Sequence, residues 1–311
     1  MCSSDLLQHH LENELDRDFL NKNLFFNRNI SKQTWFGVGG VAEVLFIPQS
    51  SKDLIKVLKL INTNTTINVI GLGSNILIRD GGLNGITIRL SKNFNFINEN
   101  DESIVSGAAV PDKVFSKYCY EKSFTDCEFL YGIPGTIGGA IAMNAGCYGS
   151  EISDVVYSFK CIDFEGNETI IKNSKQTFSY RKNNFLKNHI VTEVEIKKNH
   201  GDKDQIKEKM NDINSRRLDS QPQKVRTGGS TFKNPTSQVT DKKTWELIKP
   251  YLNEVVCPDG VSMSKKHANF IINTQTKSSN IIEDFGERIR EKVLEKTGIQ
   301  LEWEIQIKGQ R

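Results

Sequence analysis

Between Gly132 and Gly149 the chain reads GIPGTIGGAIAMNAGCYG, with glycine at 132, 135, 138, 139, 146 and 149 and no charged residue between Glu128 and Glu151. No other stretch limits the fold as much. Glycine reaches positive φ and admits close backbone approach, so such a run can set bare N–H groups against a large anion. A second turn, Gly71-Leu72-Gly73-Ser74-Asn75, offers the same chemistry. Together they suggest a clamp for the pyrophosphate of a dinucleotide. The glycines, Pro134 and Asn144 make the stretch too helix-averse for a membrane span. It is not a P-loop, because no Gly-Lys-Ser/Thr follows. A tightly packed turn without a ligand is the competing structural reading.

A chain of 311 residues can bury a substantial core and divide into two or three units. Its 41 basic and 38 acidic residues are dispersed, which leaves no stripe for nucleic acid. The six cysteines (2, 119, 127, 147, 161, 257) form no C-x-x-C pair and no metal-ligand cluster, so no metal is expected. That usage fits reduced thiols and a cytoplasmic protein. Cys2 raises the question of lipidation, but no apolar signal segment precedes it.

Residues 1–33 read as a helical or loose lead-in. The match Gly37-x-Gly39-x-x-Ala42 fails as a dinucleotide fingerprint, since that motif must open a helix and VLFIP is a strand stopped by proline. A helix is expected over Ser51–Ile61, with Leu54, Val57, Leu58 and Ile61 on one face. Strands around Ile67–Ile70 and Ile76–Arg79 flank the first glycine turn, which makes it strand–turn–strand rather than βαβ. Pro111 is expected to be the first residue of a helix reaching Lys122. Asn280 and Glu283 resemble a capping box, and Gly298 is the expected stop. The last strand is expected to alternate, with Leu301, Trp303, Ile305 and Ile307 on one face and Glu302, Glu304 and Gln306 on the other. The polar break at 199–204 marks a boundary, giving expected domains of 34–199 and 200–311.

Three further segments hold residues suited to chemistry. Phe178-Ser179-Tyr180-Arg181 offers a guanidinium that can clamp a carboxylate, although most such arginines are surface cations. Gly228-Gly229-Ser230-Thr231-Phe232-Lys233-Asn234-Pro235 could present a hydroxyl into a cleft. It lacks the G-x-S-x-G elbow of a hydrolase nucleophile. Glu302 and Glu304 could equally be a solvated strand face.

Taken in order, TWFGVGGVAE, GLGSNILIRDGG, CEFLYGIPGTIGGAIAMNAGCYGSEISDVV, FSYR, TGGSTFKNP, SKKHANFIIN and LEWEI resemble the UDP-N-acetylenolpyruvoylglucosamine reductase family. These are the flavoenzymes, also called UDP-N-acetylmuramate dehydrogenases, of bacterial peptidoglycan precursor synthesis. The chain is similar to the shorter, type II members. The resemblance implies an α+β protein: an FAD-binding domain of the vanillyl-alcohol-oxidase (PCMH) type in two subdomains, then a C-terminal α+β substrate domain. It implies non-covalent FAD, and neither clamp contains a histidine for a covalent link. NADPH and UDP-N-acetylglucosamine enolpyruvate are the implied partners, in a cytoplasmic monomer.

Carried over residue by residue, the family makes Arg181, Ser230 and Glu302 catalytic. Reduced flavin would deliver hydride to the enolpyruvyl ether, Arg181 and Glu302 would act on the developing charge, and Ser230 would give the proton. Cofactor contacts are assigned to Gly71, Leu72, Gly73, Ser74, Asn75, Ile133, Pro134, Gly135, Thr136, Gly138, Gly139, Asn144 and Gly146. Tyr180 and Asn234 are assigned to substrate. The chain departs from the family pattern at Val41, Ala142, Asn183, Lys249-Pro250-Tyr251, Cys257-Pro258-Asp259-Gly260 and Lys265, mostly in the C-terminal part. A flavoprotein that binds FAD without turnover, or another flavin-linked oxidase, is the alternative.

Overall fold

The computed structural model describes residues 3–311, so Cys2 lies outside the described residues. The chain divides into two compact units. The first takes residues up to Phe26, Glu43–Leu72 and Gly85–Arg217, and the second takes Asn27–Ala42, Gly73–Asn84 and Leu218–Arg311. Both mix helices with sheets, the α+β class that the sequence implied.

The first unit holds two sheets over two separate cores. One sheet has four strands in the order Leu24–Asn29, Val41–Phe46, Leu83–Ile88, Ile67–Val69, the last two parallel. Helix Ser51–Leu60 packs Leu54, Val57 and Leu58 among Val44, Phe46, Ile86 and Ile88, which is the face its apolar spacing predicts. Ser50 starts the helix by accepting from the Asp53 N–H at 3.2 Å. Of the helical and loose alternatives for the N-terminal segment, the structure has the helical one. Helices Ser3–Glu14 and Arg17–Asn23 and the strand after them bring Leu11, Leu15 and Leu24 into this same core.

The other sheet is antiparallel, in the order Glu168–Lys172, Val156–Asp163, His189–Lys197, Ser103–Gly107, Ile97–Glu99. Its outer strands carry little apolar alternation; in Glu168–Lys172 only Ile171 is even half-buried. They are strands because neighbours offer hydrogen bonds, and so the local sequence does not announce them. Helices Asp112–Glu121 and Ile137–Met143 lay Phe115, Cys119, Ile137, Ala140 and Ile141 against Val156, Phe159, Val194 and Ile196. Each of the larger side chains among them, Phe, Ile or Val, contributes roughly 1.5–3 kcal/mol. Pro111 stands one place before the first helical residue, as the N-cap.

The second unit is organised by the 19-residue helix Ser279–Thr297. Ile282, Phe285, Ile289 and Val293 form its buried stripe against Phe36, Leu77, Phe232, Ile271 and Leu301. Gly298, at φ 72°, ends it as expected. Its start differs from the expected Asn280–Glu283 box. The Asp80 carboxylate accepts from the Ser279 N–H and Oγ, each at 2.7 Å, and from the Ser278 hydroxyl. Glu283 instead accepts from Arg79 Nε at 2.8 Å and Nη2 at 2.7 Å. That fork holds the Glu283 carboxyl below the usual glutamate range. A charged partner brought by the fold has displaced the local one.

The final strand is shorter than alternation suggests. Only Gln306–Lys308 pairs, in parallel with Ile76–Ile78. Ahead of it the chain bends at Ile305 and touches Phe232 through a single bridge at Trp303. No helix of the described residues is long and apolar enough to cross a membrane.

Candidate functional site

In the first unit the glycine-rich loop leads into helix Ile137–Met143. Thr136 starts that helix, its Oγ1 accepting from the Gly139 N–H at 3.2 Å. Ile137 and Gly138 donate their N–H groups backwards, to the Val110 and Ala108 carbonyls at 2.9 Å each. A Cβ on Gly138 would lie 2.8 Å from Ala108 Cβ, and one on Gly146 would lie 2.5 Å from the Ser150 carbonyl. Those two glycines let backbones pack. Gly139 is different: it is exposed, and only Thr136 Oγ1 comes within 4 Å of an added Cβ, at 3.4 Å. A Cβ added to Gly71 would lie 3.2 Å from the same Thr136 Oγ1, so part of the first glycine turn meets the second. Leu72 ends that part of the first unit, and Ile133 and Pro134 are half-buried.

The orientation of one peptide follows from a hydrogen bond. The Gly135 carbonyl accepts from the Asp112 N–H at 3.0 Å. In a trans peptide the C=O and the next N–H point opposite ways, so the Thr136 N–H is directed away from helix Asp112–Glu121. A glycine-rich loop whose Thr136 N–H turns away from that helix suits an anion, and FAD carries one in its pyrophosphate. The residues present fit the cofactor.

Asn144, assigned to the cofactor, is fully committed to the protein. It ends the helix in the left-handed region at φ 41°, and its Nδ2 donates to Glu151 at 2.8 Å and to the Ser179 carbonyl at 3.2 Å. Its Oδ1 accepts from the Ser153 N–H at 3.3 Å. Arg181 sits at the turn of a short hairpin, itself at φ 56°. It donates to the Gly146 carbonyl at 3.0 Å and the Asn144 carbonyl at 3.4 Å, with Tyr180 alongside at 5.2 Å. The guanidinium therefore lies at the carbonyl end of helix Ile137–Met143, where a cation is favoured. Tyr180 is exposed. Asn183, a departure from the family pattern, is buried and accepts from the Phe185 N–H at 2.9 Å.

In the second unit, Gly73 has φ +68° and an added Cβ would strike the Gln33 carbonyl. Ser74 and Asn75 follow, half-buried, and Asn75 Nδ2 donates to the Glu304 carbonyl at 3.2 Å while its own carbonyl accepts from Gln306. Ser230 is half-buried between Gly229, at φ +83° with open space around it, and the buried Thr231. The chain just after Ser230 is pinned from two sides. Thr231 and Phe232 bond to Asn269, through its carbonyl at 2.8 Å and its side chain at 3.0 Å. The Thr231 carbonyl accepts from the Glu304 N–H at 2.9 Å.

The two glutamates separate. Glu302 is 74% exposed and pairs with Lys233 at 3.2 Å. Glu304 is half-buried, its backbone tied to both Thr231 and Asn75. Asn234 is exposed, and its Oδ1 accepts from the Thr244 N–H at 3.1 Å, at the start of helix Thr244–Ile248. The departures at 257–260 build a compact turn: the Gly260 carbonyl accepts from Thr274, Gln275 and Thr276. Asp112 and Asn269 escaped the sequence reading. Asn269 lay inside SKKHANFIIN, where the motif gave no hint of its partners.

Comparison with known proteins agrees with this arrangement. Residues 42–172 match the FAD binding domain family, and residues 221–308 match the UDP-N-acetylenolpyruvoylglucosamine reductase C-terminal domain. A UDP-N-acetylenolpyruvoylglucosamine reductase of Rickettsia peacockii is 44% identical over 277 residues, 89% of this chain and 92% of that protein. One of Rickettsia akari is 43% identical over 281 residues, 90% of this chain and 94% of that protein. The crystal structure of UDP-N-acetylenolpyruvylglucosamine reductase from Thermus caldophilus superposes with a TM-score of 0.79 at 25% identity, covering 91% of this chain and 98% of that one. With that identity sustained over nearly all of its length, the chain belongs to the UDP-N-acetylenolpyruvoylglucosamine reductase family.

Proposed function

We propose that this protein is a flavin-dependent oxidoreductase that reduces UDP-N-acetylglucosamine enolpyruvate to UDP-N-acetylmuramate, in the supply of peptidoglycan precursors. The observation that carries the reading is the 44% identity, over 89% of the chain, to a reductase of that name. FAD, reduced by NADPH, supplies the hydride when bound. The first unit would hold it, with the exposed Gly139 and the Thr136 N–H, turned away from helix Asp112–Glu121, on the pyrophosphate. Ile133, Pro134 and Gly135 would shape that loop. The second unit would serve the substrate, with Asn234 as a candidate contact; Tyr180, which belongs to the first unit, is a further candidate. We place the protein in the cytoplasm as a monomer, with non-covalent FAD and no nucleic-acid partner.

Ser230 is the proposed proton donor to the α-carbon. Serine is a weak acid, and its geometry supports the role: Gly229, at φ +83° with open space beside it, precedes it and a pinned backbone follows. Arg181 is proposed to stabilise charge on the reacting carboxylate, anchored through its carbonyl contacts. For the acidic partner we favour Glu304 over Glu302. The Glu302 carboxylate is in solvent with Lys233, whereas Glu304 is half-buried and cross-linked to the turn that presents Ser230.

Anaerobic titration tests the reading. NADPH should bleach the yellow protein, and the enolpyruvyl sugar should restore the colour. A flavin that reduces but is not reoxidised by the sugar would leave only a cofactor-binding protein. Glu304→Gln should slow the sugar half-reaction by about 10²–10³-fold with FAD still bound. Glu302→Gln should act more mildly, and the reverse ranking would return the role to Glu302.

A further inference from the structure

Asp112 is a carboxylic acid beside the glycine loop that the reaction does not use, and its environment is unusual. It is 0% exposed, it opens helix Asp112–Glu121, and neither carboxyl oxygen has a hydrogen-bond partner among the described residues. One turn later on the same helix Ser116, 1% exposed, also has an unpartnered hydroxyl. Burying an ionised carboxylate without a partner is prohibitive, so such a group takes up a proton instead. Burial indeed pushes the Asp112 carboxyl well above the usual aspartate range. A neutral carboxylic acid is a hydrogen-bond donor.

What it faces is the cofactor loop. Its Oδ2 lies 2.6 Å from the point where a Cβ on Gly135 would stand, so glycine there is what lets the carboxyl come up behind the loop. Its own N–H already holds the Gly135 carbonyl at 3.0 Å, which turns the Thr136 N–H to the opposite side. N–H groups aimed forward at an anion leave carbonyls aimed backward, and each of those needs a donor. Among the described residues the Asp112 carboxyl has no such bond, although it is the buried donor placed behind that backbone.

We propose that Asp112 is a positioning residue for FAD: its neutral carboxyl donates a hydrogen bond to the backbone behind Gly135 when the front of the loop takes the pyrophosphate. It acts through the loop and need not touch the cofactor. The inference rests on the flavin assignment of the 132–139 loop.

The test compares Asp112→Leu and Asp112→Asn with the wild type. The melting temperature of flavin-stripped protein is read alongside FAD affinity from quenching of flavin fluorescence. Asp112→Leu should leave the stripped protein as stable as wild type or more so, and weaken FAD by about tenfold or more, the equivalent of one lost hydrogen bond. Asp112→Asn, which keeps a donor without a charge, should bind FAD within about threefold of wild type. Unchanged FAD affinity in Asp112→Leu overturns the proposal, whatever its melting temperature. An equal loss of stability with and without FAD does so too, because that is simple packing. Should Asp112→Leu fail to fold, Asp112→Ala against Asp112→Asn decides by the same two readings. A wild type that binds no FAD overturns the flavin assignment as well, whereas a wild type and a leucine variant that bind it equally overturn this inference alone.

Discussion

Gly73 and Gly139 both lie in glycine-rich turns, yet a side chain added to each would meet different surroundings. At Gly73 the φ of +68° and the backbone of Gln33 and Thr34 leave no room, with Thr34 Cα 2.9 Å from an added Cβ. A Cβ added at Gly139 would meet, beyond its chain neighbours and its own helix backbone, only Thr136 Oγ1 within 4 Å among the described residues. The first glycine is required by the chain's own path. The second keeps a space that the protein itself does not fill. A glycine count cannot distinguish these two uses, although only the second points to a ligand.

The contrast can be broken most sharply at Gly73. Gly73→Val should destabilise the protein by about 3 kcal/mol or more, from a disfavoured φ plus a backbone collision. Thermal unfolding at the wild-type temperature would show that the loop 31–40 yields more easily than its contacts suggest.

The residues that follow the first turn extend the same structural theme. Arg79 fastens Glu283, whose side chain is 5% exposed, and Arg79 itself is 31% exposed. Arg79→Met should cost about 2 kcal/mol, less than a fully buried pair because water reaches the arginine. Since the Glu283 carboxyl titrates below its ordinary value, its contribution is complete above the unfolded glutamate pKa and is lost as pH falls through the depressed folded one. Melting curves between pH 7 and pH 3 should therefore converge for wild type and Arg79→Met. Parallel curves would remove Glu283 from the account.

Gly135→Ala tests the second turn from behind. Its Cβ would crowd Asp112 Oδ2 at 2.6 Å, so the loop or the acid must shift, at a cost of roughly 1–2 kcal/mol. FAD affinity should fall with it, and an unaltered flavin titration would disconnect the two residues. The smallest effect has the opposite sign. Gly139→Ala should stabilise the flavin-free protein by about 0.5–1 kcal/mol, because alanine is the better helix residue and nothing blocks it. It should nevertheless weaken FAD. A stabilised protein with full FAD affinity would mean that the open side of Gly139 is merely solvent.

Much of this protein is legible along the chain. Leu54, Val57 and Leu58 repeat at helical spacing and are buried as one face; Ile282, Phe285, Ile289 and Val293 do the same and stop at Gly298. The ordered motifs identified the family. Periodicity works there because each contact is set by residues three or four apart, whatever the rest of the molecule does. The strand Glu168–Lys172 was missed because its side chains are largely exposed and its existence depends on the neighbour Val156–Asp163.

Only the tertiary structure decided which partner each polar group takes. Asn280 and Glu283 have the spacing of a capping box, but Arg79, 204 positions away, claims Glu283, and Asp80 takes the start of the helix. Glu302 and Glu304 are equivalent by alternation, and one bend with a single bridge leaves one in solvent and the other half-buried beside Thr231. Asp112, at a helix start, is sealed behind the 132–139 glycine loop with no side-chain partner among the described residues. The sequence determines local periodicity and backbone permissiveness, because those energies are local. The environment of a charge is the sum of everything the fold brings around it, and that exists only once the chain has closed.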